Sequence, residues 1–407
     1  MVEPSADSLL TTDTFSDMTA TDAPPANLLD PAWWVDLEAV HEFFAWARRE
    51  QPVYRDTSGV WVVTRHADLI DVERRSNVFS SRGAYRANIN IDESNMIALD
   101  DPEHLEQRRL VSRRFTPRAV QQDETSLRSL IDELIESVAD TGRLEVVHDL
   151  AAQLPSRLTA DLLGFPEDRW EDIKSWSERL MRTDAVLFDN EALMGAISAI
   201  MEFNPLLVET AAERKGCPAH DLITVWAEAD MDAVTMMHET GLFIAGGAET
   251  TRTVIARGLA VLAEHPDQWE AAAADPTLVP GLVEEAVRWV TPLNNMFRVV
   301  VADDHIGAQR VTTGDRVMLA YPSANRDEAV FDEPFRFDIW RDPNPHVAFG
   351  QGTHFCLGAN LARLELRLLF GALTQRWTNL RAITAPDIEP NVFAGAVRHF
   401  ELGFDLR

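Results

Sequence analysis

A mainly helical fold with small β-sheets is the class this chain predicts, on three observations. Residues 231 to 264 carry one unbroken helical pattern without proline, long enough to cross a whole domain. From Ala119 to about Lys215 the apolar period is helical almost throughout, with breaks near Gly142, Gly164-Phe165-Pro166 and Asp184 to Asn190. The strand-like runs are short and paired, as at Val53-Tyr54-Arg55 and Val60-Trp61-Val62-Val63 around the turn Thr57-Ser58-Gly59.

With 407 residues, 46% of them hydrophobic, the chain can bury a large core. Its net charge of -29 excludes nonspecific nucleic-acid binding and an anionic membrane surface, both of which need clustered positive charge. No apolar run reads as a bilayer span or an export signal, so a cytoplasmic protein without a membrane anchor is expected. The two cysteines, Cys217 and Cys356, are too few for a disulfide scaffold.

In chain order, residues 1 to 28 are rich in Ser, Thr, Asp, Ala and Pro and predict a disordered acidic tail. Trp33, Trp34, Phe43, Phe44 and Trp46 mark an amphipathic helix between Pro31 and Gln51, ahead of the hairpin and a short helix at 67–74. Residues 80 to 99 lose periodicity, which predicts a binding loop. Asp101-Pro102-Glu103 opens a helix with His104 and Arg108 on one face, a pair that read alone is a common solvated face. Arg109, Arg113, Arg114 and Arg118 follow as a local reversal of sign on an acidic protein, suiting an acidic partner.

The central helix has an unusual middle: Gly246-Gly247-Ala248-Glu249-Thr250-Thr251 sets two helix-weakening glycines and an acid beside paired threonines. Tight packing at the glycines plus an exposed acid explains any one of these residues, and less well the set. Farther on, Glu285-Ala286-Val287-Arg288 spaces an acid and a base one turn apart on a helix from about Pro280 to Val290. Cys356 stands in the glycine-rich run Phe349 to Gly358, directly before a helical pattern that starts near Ala359. A thiol at a helix mouth meets unpaired N–H groups and the positive end of the dipole, which lowers its pKa and suits it to bind a metal.

Phe349, Gly352, Cys356 and Gly358 fit the Phe-x-x-Gly-x-x-x-Cys-x-Gly signature, and in this the chain resembles the cytochrome P-450 enzymes, the heme-thiolate monooxygenases. Gly246 to Thr250 matches that family's Gly-Gly-x-(Asp/Glu)-Thr motif, with Glu249 where Asp is commoner. The resemblance implies the cytochrome P-450 fold, a single catalytic domain over 29–407 in which the long oxygen-binding helix and the cysteine loop enclose heme b. Cys356 would be the iron ligand, with Thr250 and Glu249 as the catalytic pair that organises protons. His104, Arg108, Arg298 and His346, with His354 as a fifth donor, would hold the heme carboxylates. Phe349, Gly350, Gly358 and Gly246 would border the cofactor. Glu285, Arg288 and Arg336 are expected as a buried structural set.

The same resemblance implies hydroxylation of an aliphatic C–H bond with O2 and two electrons from a ferredoxin and its reductase. NAD(P)H would enter only indirectly, since no dinucleotide-binding Gly-x-Gly-x-x-Gly unit appears. The ferredoxin would dock near Arg109, Arg113 and Arg114. Ile97, Phe243, Gly247, Leu293, Met296 and Phe393 are the expected pocket walls, mainly apolar, and Met181, Val186, Leu187 and Phe188 a roof. The segments around Gly246, Asn295 and Tyr321 look most like the branch acting on steroids or sterol side chains, with a terpenoid or fatty acid as alternatives. A non-catalytic heme sensor or carrier would need Cys356 but not Glu249 and Thr250. A zinc site from His346, His354 and Cys356 fails on spacing.

Overall fold

The computed structural model describes residues 26–87, 93–184 and 190–407. Most of the expected tail, the loop positions 88–92 and the roof residues Val186, Leu187 and Phe188 lie outside that range. Packing already includes Leu28, ahead of the expected boundary at residue 29: it is buried, and its carbonyl accepts the Trp34 indole N–H at 3.0 Å.

Fourteen α-helices are present among the described residues. They are α1 (Leu37–Glu50), α2 (His66–Arg74), α3 (Glu103–Val111), α4 (Pro117–Val120), α5 (Glu124–Val138), α6 (Gln153–Leu163) and α7 (Trp170–Met181). The second half holds α8 (Asn190–Gly216), α9 (Leu222–Glu228), α10 (Ala233–Glu264), α11 (Pro266–Ala274), α12 (Val279–Val290), α13 (Tyr321–Ala324) and α14 (Ala359–Arg376). The expected central helix is α10. Asp232 caps it by accepting from the amides of Val234 and Thr235, and α6, α7, α12 and α14 pack along its length. Its buried side includes Ile244, Ala248, Val254, Ile255, Leu259 and Leu262, which join the main hydrophobic core.

The strands are β1 (Val53–Arg55), β2 (Trp61–Val63), β3 (Phe79–Ser80), β4 (Arg143–Glu145), β5 (Asn295–Val300) and β6 (Asp304–Ile306). They continue with β7 (Gln309–Val311), β8 (Arg316–Ala320), β9 (Trp377–Ala382), β10 (Asp387–Ile388), β11 (Val397–His399) and β12 (Glu401–Leu406). A five-stranded sheet runs β1-β2-β8-β5-β3, and the expected hairpin is its edge. The break expected near Gly142 in the helical stretch from Ala119 to Lys215 holds a strand, β4, whose partner β12 lies at the far end of the chain. A local period cannot announce such a pairing.

The basic run is likewise divided. The helix carrying His104 and Arg108 ends at Val111, a 3-10 turn spans Ser112–Phe115, and Pro117 opens α4 behind the Thr116 cap. Among the described residues one helix, α8, is long and apolar enough to cross a membrane, and little of its apolar window is buried. Phe203 and Leu207 face the core, whereas Met194, Met201 and Val208 are exposed. This qualifies the expectation that no run reaches bilayer length.

Candidate active site

The loop Phe349 to Gly358 is bent by two left-handed glycines, Gly350 (φ +67°) and Gly352 (φ +68°). At Gly352 a side chain is excluded twice over, because a Cβ would stand 2.5 Å from the Glu73 carbonyl oxygen at the end of α2. Tyr321 donates its hydroxyl to Glu73 Oε1 at 2.6 Å, and burial raises this carboxyl to about 7. Inside the loop, the Cys356 N–H donates to the Phe349 carbonyl at 2.9 Å, while Arg363 lies over the Phe349 ring at 4.5 Å. Cys356 therefore sits in a turn closed on itself and braced from α2, α13 and α14.

The thiol departs from expectation in one respect. Burial pushes the Cys356 pKa up, outweighing the Gly358 N–H, Arg108, Arg363 and the Ala359 N–H, which all act to lower it. The helix mouth is real, but desolvation is the larger effect. Cys217 is exposed.

Beside the loop, His104 and His354 face each other with ring centroids 4.5 Å apart. The Nε2 atoms of both are buried without a hydrogen-bond partner among the described residues. Burial, then Arg298, His104 and Arg108, drive the His354 pKa down to about 2. A neutral imidazole held among positive groups is what a site for an anion looks like before the anion is counted. Arg298 belongs to the same cluster, since its charge acts on both His354 and Glu73, and one of its N–H groups donates to the Phe297 carbonyl.

Two further expected donors are committed to other partners, although the Arg108 charge still acts on His354. His346 is engaged on both nitrogens: Nε2 lies 3.0 Å from Glu284 Oε2, and Nδ1 accepts from the Ala348 amide at 3.3 Å. Glu284 in turn takes a two-point contact from Arg363 at 2.7 and 2.8 Å. His346 thus helps to tie α12 to α14. Arg108 grips the cysteine loop, donating to the carbonyls of Thr353 and Phe355 at 3.5 and 2.5 Å.

On α10, Gly246 is exposed and a Cβ added there would meet no atom within 4 Å. Gly247 is different, because a Cβ would come within 2.7 Å of Thr159 Oγ1 on α6. Gly247 is exposed as well, and its lack of a side chain lets two helices approach, while its neighbour keeps a flat surface clear. Thr250 donates its hydroxyl to the Gly246 carbonyl at 2.9 Å, one turn back along the helix. Glu249 is buried and points the other way, toward α7. Its Oε1 accepts from Arg252 at 2.5 Å, and Arg252 also reaches Glu178, which holds Lys174 at 2.7 Å. Burial, opposed by Arg252, raises the Glu249 carboxyl to about 7.

The apolar candidates take varied positions. Ile97 is half-buried in a 3-10 turn (Met96–Ala98) whose other residues are buried. Phe243 stacks on Phe115 at 5.9 Å and tilts against Trp226 at 5.6 Å. Leu293 bridges to Ala394, Met296 is half-buried in β5, and Phe393 carries Arg86 over its ring at 4.8 Å. Arg86 also donates to the Leu180 carbonyl, so loop, α7 and the 391–394 turn meet at one buried arginine that the sequence did not single out. A separate cavity of about 690 Å³ lies between α5, α12 and α14 and is lined by none of the site residues above.

The structural set is corrected at one member. Arg288 makes a fully buried two-point pair with Glu285 at 2.6 and 2.7 Å. Arg336 is exposed and pairs with Glu333, contributing only its carbonyl to Arg288. Arg341 fills the expected place, 3.3 Å from Glu285 Oε2 and largely buried. Of the basic run, Arg109 and Arg113 are exposed, but Arg114 is committed to Asp123 by two bonds at 2.8 and 2.9 Å.

A thiol in a braced loop, a clear glycine surface on α10 and, beside the loop, unpartnered His104 and His354 nitrogens under the Arg298 charge fit a heme with its two carboxylates. The comparisons agree. The family model described as Cytochrome P450 matches residues 222–393. A Mycobacterium tuberculosis relative named Steroid C26-monooxygenase is 37% identical over 91% of this chain and 94% of its own length. A Rhodococcus jostii relative of the same name is 35% identical over 85% and 76%. Among solved structures, a Mycobacterium marinum cytochrome P450 in complex with pseudoionone superposes with a TM-score of 0.86 at 32% identity, covering 93% of this chain and 99% of that one. A Bacillus megaterium structure in complex with testosterone gives 0.84 at 25% identity, covering 92% and 99%. This chain belongs to the cytochrome P450 family.

Proposed function

We propose that this protein hydroxylates the side chain of a steroid. One oxygen atom of O2 enters an aliphatic C–H bond and the other leaves as water, with two electrons and two protons consumed. The observation that carries the substrate class is the 37% identity, across nearly the whole chain, to a relative named Steroid C26-monooxygenase. When bound through Cys356, heme supplies the oxygen activation and the electron transfer.

The chain's own residues then have distinct tasks. Arg298 pairs its charge with the heme carboxylates, and the unpartnered Nε2 groups of His354 and His104 add hydrogen bonds. Thr250 keeps a hydroxyl beside the clear surface at Gly246, positioned by its bond to the Gly246 carbonyl. Glu249, raised to about 7, takes a proton from the α7 side and releases it inward on leaving Arg252. Arg109 and Arg113 offer exposed positive charge to an acidic ferredoxin, while Arg114 does not. Ile97, Leu293, Met296 and Phe393 bound an apolar substrate space.

A terpenoid is the second reading, favoured by the pseudoionone complex of the Mycobacterium marinum structure. The test is a titration of the heme-loaded protein, read as the low-to-high-spin shift, followed by product analysis. The three ligands are a sterol with its full side chain, a steroid lacking it, and pseudoionone. The steroid reading expects a shift and side-chain hydroxylation with the first alone. Turnover of pseudoionone with no response to the sterol would replace it by the second reading.

A further inference from the structure

The N-terminal half of α10 carries a polar group that the oxygen chemistry does not use. Thr235, His238 and Glu239 occupy its first two turns, and all three reach toward the loop at 93–98. The Met96 amide donates to Glu239 Oε1 at 2.7 Å. The Ser94 amide donates to His238 Nδ1 at 3.1 Å. Since Nδ1 accepts there, the Ser94 hydroxyl, 2.9 Å from the same nitrogen, donates to it as well and accepts from Thr235 at 3.2 Å. From the other side, Gln107 of α3 donates to the Ser94 carbonyl at 2.9 Å, and Asn95 caps the Met96–Ala98 turn through the Ala98 amide at 3.1 Å.

Glu239 is the costly member. It is fully buried, its Oε2 has no partner among the described residues, and burial raises its pKa to about 8. A core position on a packed helix would ordinarily take Leu or Met at no such penalty. What the carboxyl gains in exchange is one bond, to a backbone N–H of a loop that has no strand to fix it. Seven residues separate Glu239 from Gly246, almost two whole turns, so the two share a face about 10 Å apart along the axis. The turn fixed by Glu239 is the one that presents Ile97.

We propose that Glu239 and His238 are positioning residues that pin residues 94–97 to α10, fixing the Ile97 wall of the substrate space and setting substrate affinity without acting in the chemical step. The inference rests on the reading of Ile97 as a pocket wall, given above. Its core is the acceptor oxygen on Glu239, which a glutamine retains and a leucine of similar bulk removes.

Three heme-loaded variants test this, Glu239→Gln, Glu239→Leu and His238→Ala. Each is read by amide hydrogen exchange over 94–98 without substrate, by sterol spin-shift titration, and by turnover at saturating sterol. Glu239→Leu is expected to speed exchange at Met96 to Ala98 and to weaken sterol binding by about tenfold. Its reduced carbon-monoxide spectrum and saturated turnover stay within about twofold of the parent, and Glu239→Gln restores the parent exchange and affinity. His238→Ala, which leaves the core acid in place, should speed exchange at Ser94 and Asn95.

Parent-like exchange over 94–98 in both Glu239→Leu and His238→Ala would overturn the proposal, as would Glu239→Gln behaving like Glu239→Leu. A sterol that fails to shift even the parent protein sinks the substrate reading instead, and leaves the exchange data to decide the latch.

Discussion

The two sides of the cofactor site are built on opposite principles. On the cysteine side, contacts are dense and redundant: Glu285 meets Arg288 and Arg341, Glu284 meets Arg363 and His346, and Arg108 holds two loop carbonyls. On the substrate side, loop 93–98, the end of α7 and the 391–394 turn are joined mainly by hydrogen bonds between a side chain and a backbone group of a distant segment, such as Met96 to Glu239 and Asn391 to the Met181 carbonyl. The difference teaches where each kind of constraint is needed. A cysteine that is to hold iron, as proposed for Cys356, must stay fixed through every cycle, and losing one bond there leaves others in place. A pocket that admits an apolar substrate needs walls whose opening costs only a few contacts.

Breaking the cysteine side should therefore have the largest effects. Cys356→His is expected to abolish the red-shifted thiolate Soret band of the reduced carbon-monoxide complex and lower hydroxylation at least about a hundredfold. Spectroscopy and product analysis on one sample check both. A retained thiolate band would remove Cys356 from the ligand position.

Next comes the buried ion pair. Glu285→Ala leaves Arg288 buried without its carboxylate and should destabilise the protein by about 3–5 kcal/mol, with loss of heme on mild heating. Arg336→Ala, at an exposed position, should change stability by no more than about 0.5 kcal/mol. Denaturation curves of the two variants decide whether Arg341 or Arg336 completes the set.

Thr250→Ala sits between the two sides. It removes the hydroxyl held by the Gly246 carbonyl, and should leave sterol affinity near the parent while product formed per electron pair falls several-fold, about 1 kcal/mol of selectivity. Unchanged coupling would exclude Thr250 from proton handling.

The remaining prediction is a slope. Glu239 has a folded pKa of about 8, above its unfolded value, so between about pH 4.5 and 8 the folded state binds more protons than the unfolded. Its neutral form thus favours folding at low pH, and that contribution is lost as pH rises toward 8. Glu239→Gln cannot titrate, so its melting temperature should fall less than that of the parent between pH 5 and 8.

The parts legible beforehand share a property. The cysteine loop, the Gly246 to Thr250 run and Glu285-x-x-Arg288 each place their chemistry within about ten residues, and backbone geometry converts such spacing directly into proximity. The length and proline-free course of α10 were readable for the same reason. Most of the errors are choices of a partner, usually a distant one. Arg341 displaced Arg336 at Glu285, and Glu284 engaged His346, 62 positions away. Arg114 turned to Asp123, and β4 found β12. Each outcome depends on which of several like groups lies within reach once the core has closed.

The sequence by itself determined the family, and with it the cysteine expected to bind iron and the Gly246 to Thr250 run expected to face the cofactor, because those rest on residue types at short fixed spacing. Only the tertiary structure decided which cations remain beside His354 for an anion, and what holds the Ile97 wall. Those outcomes follow from burial and from competition for partners, and neither has a value until the whole chain is packed.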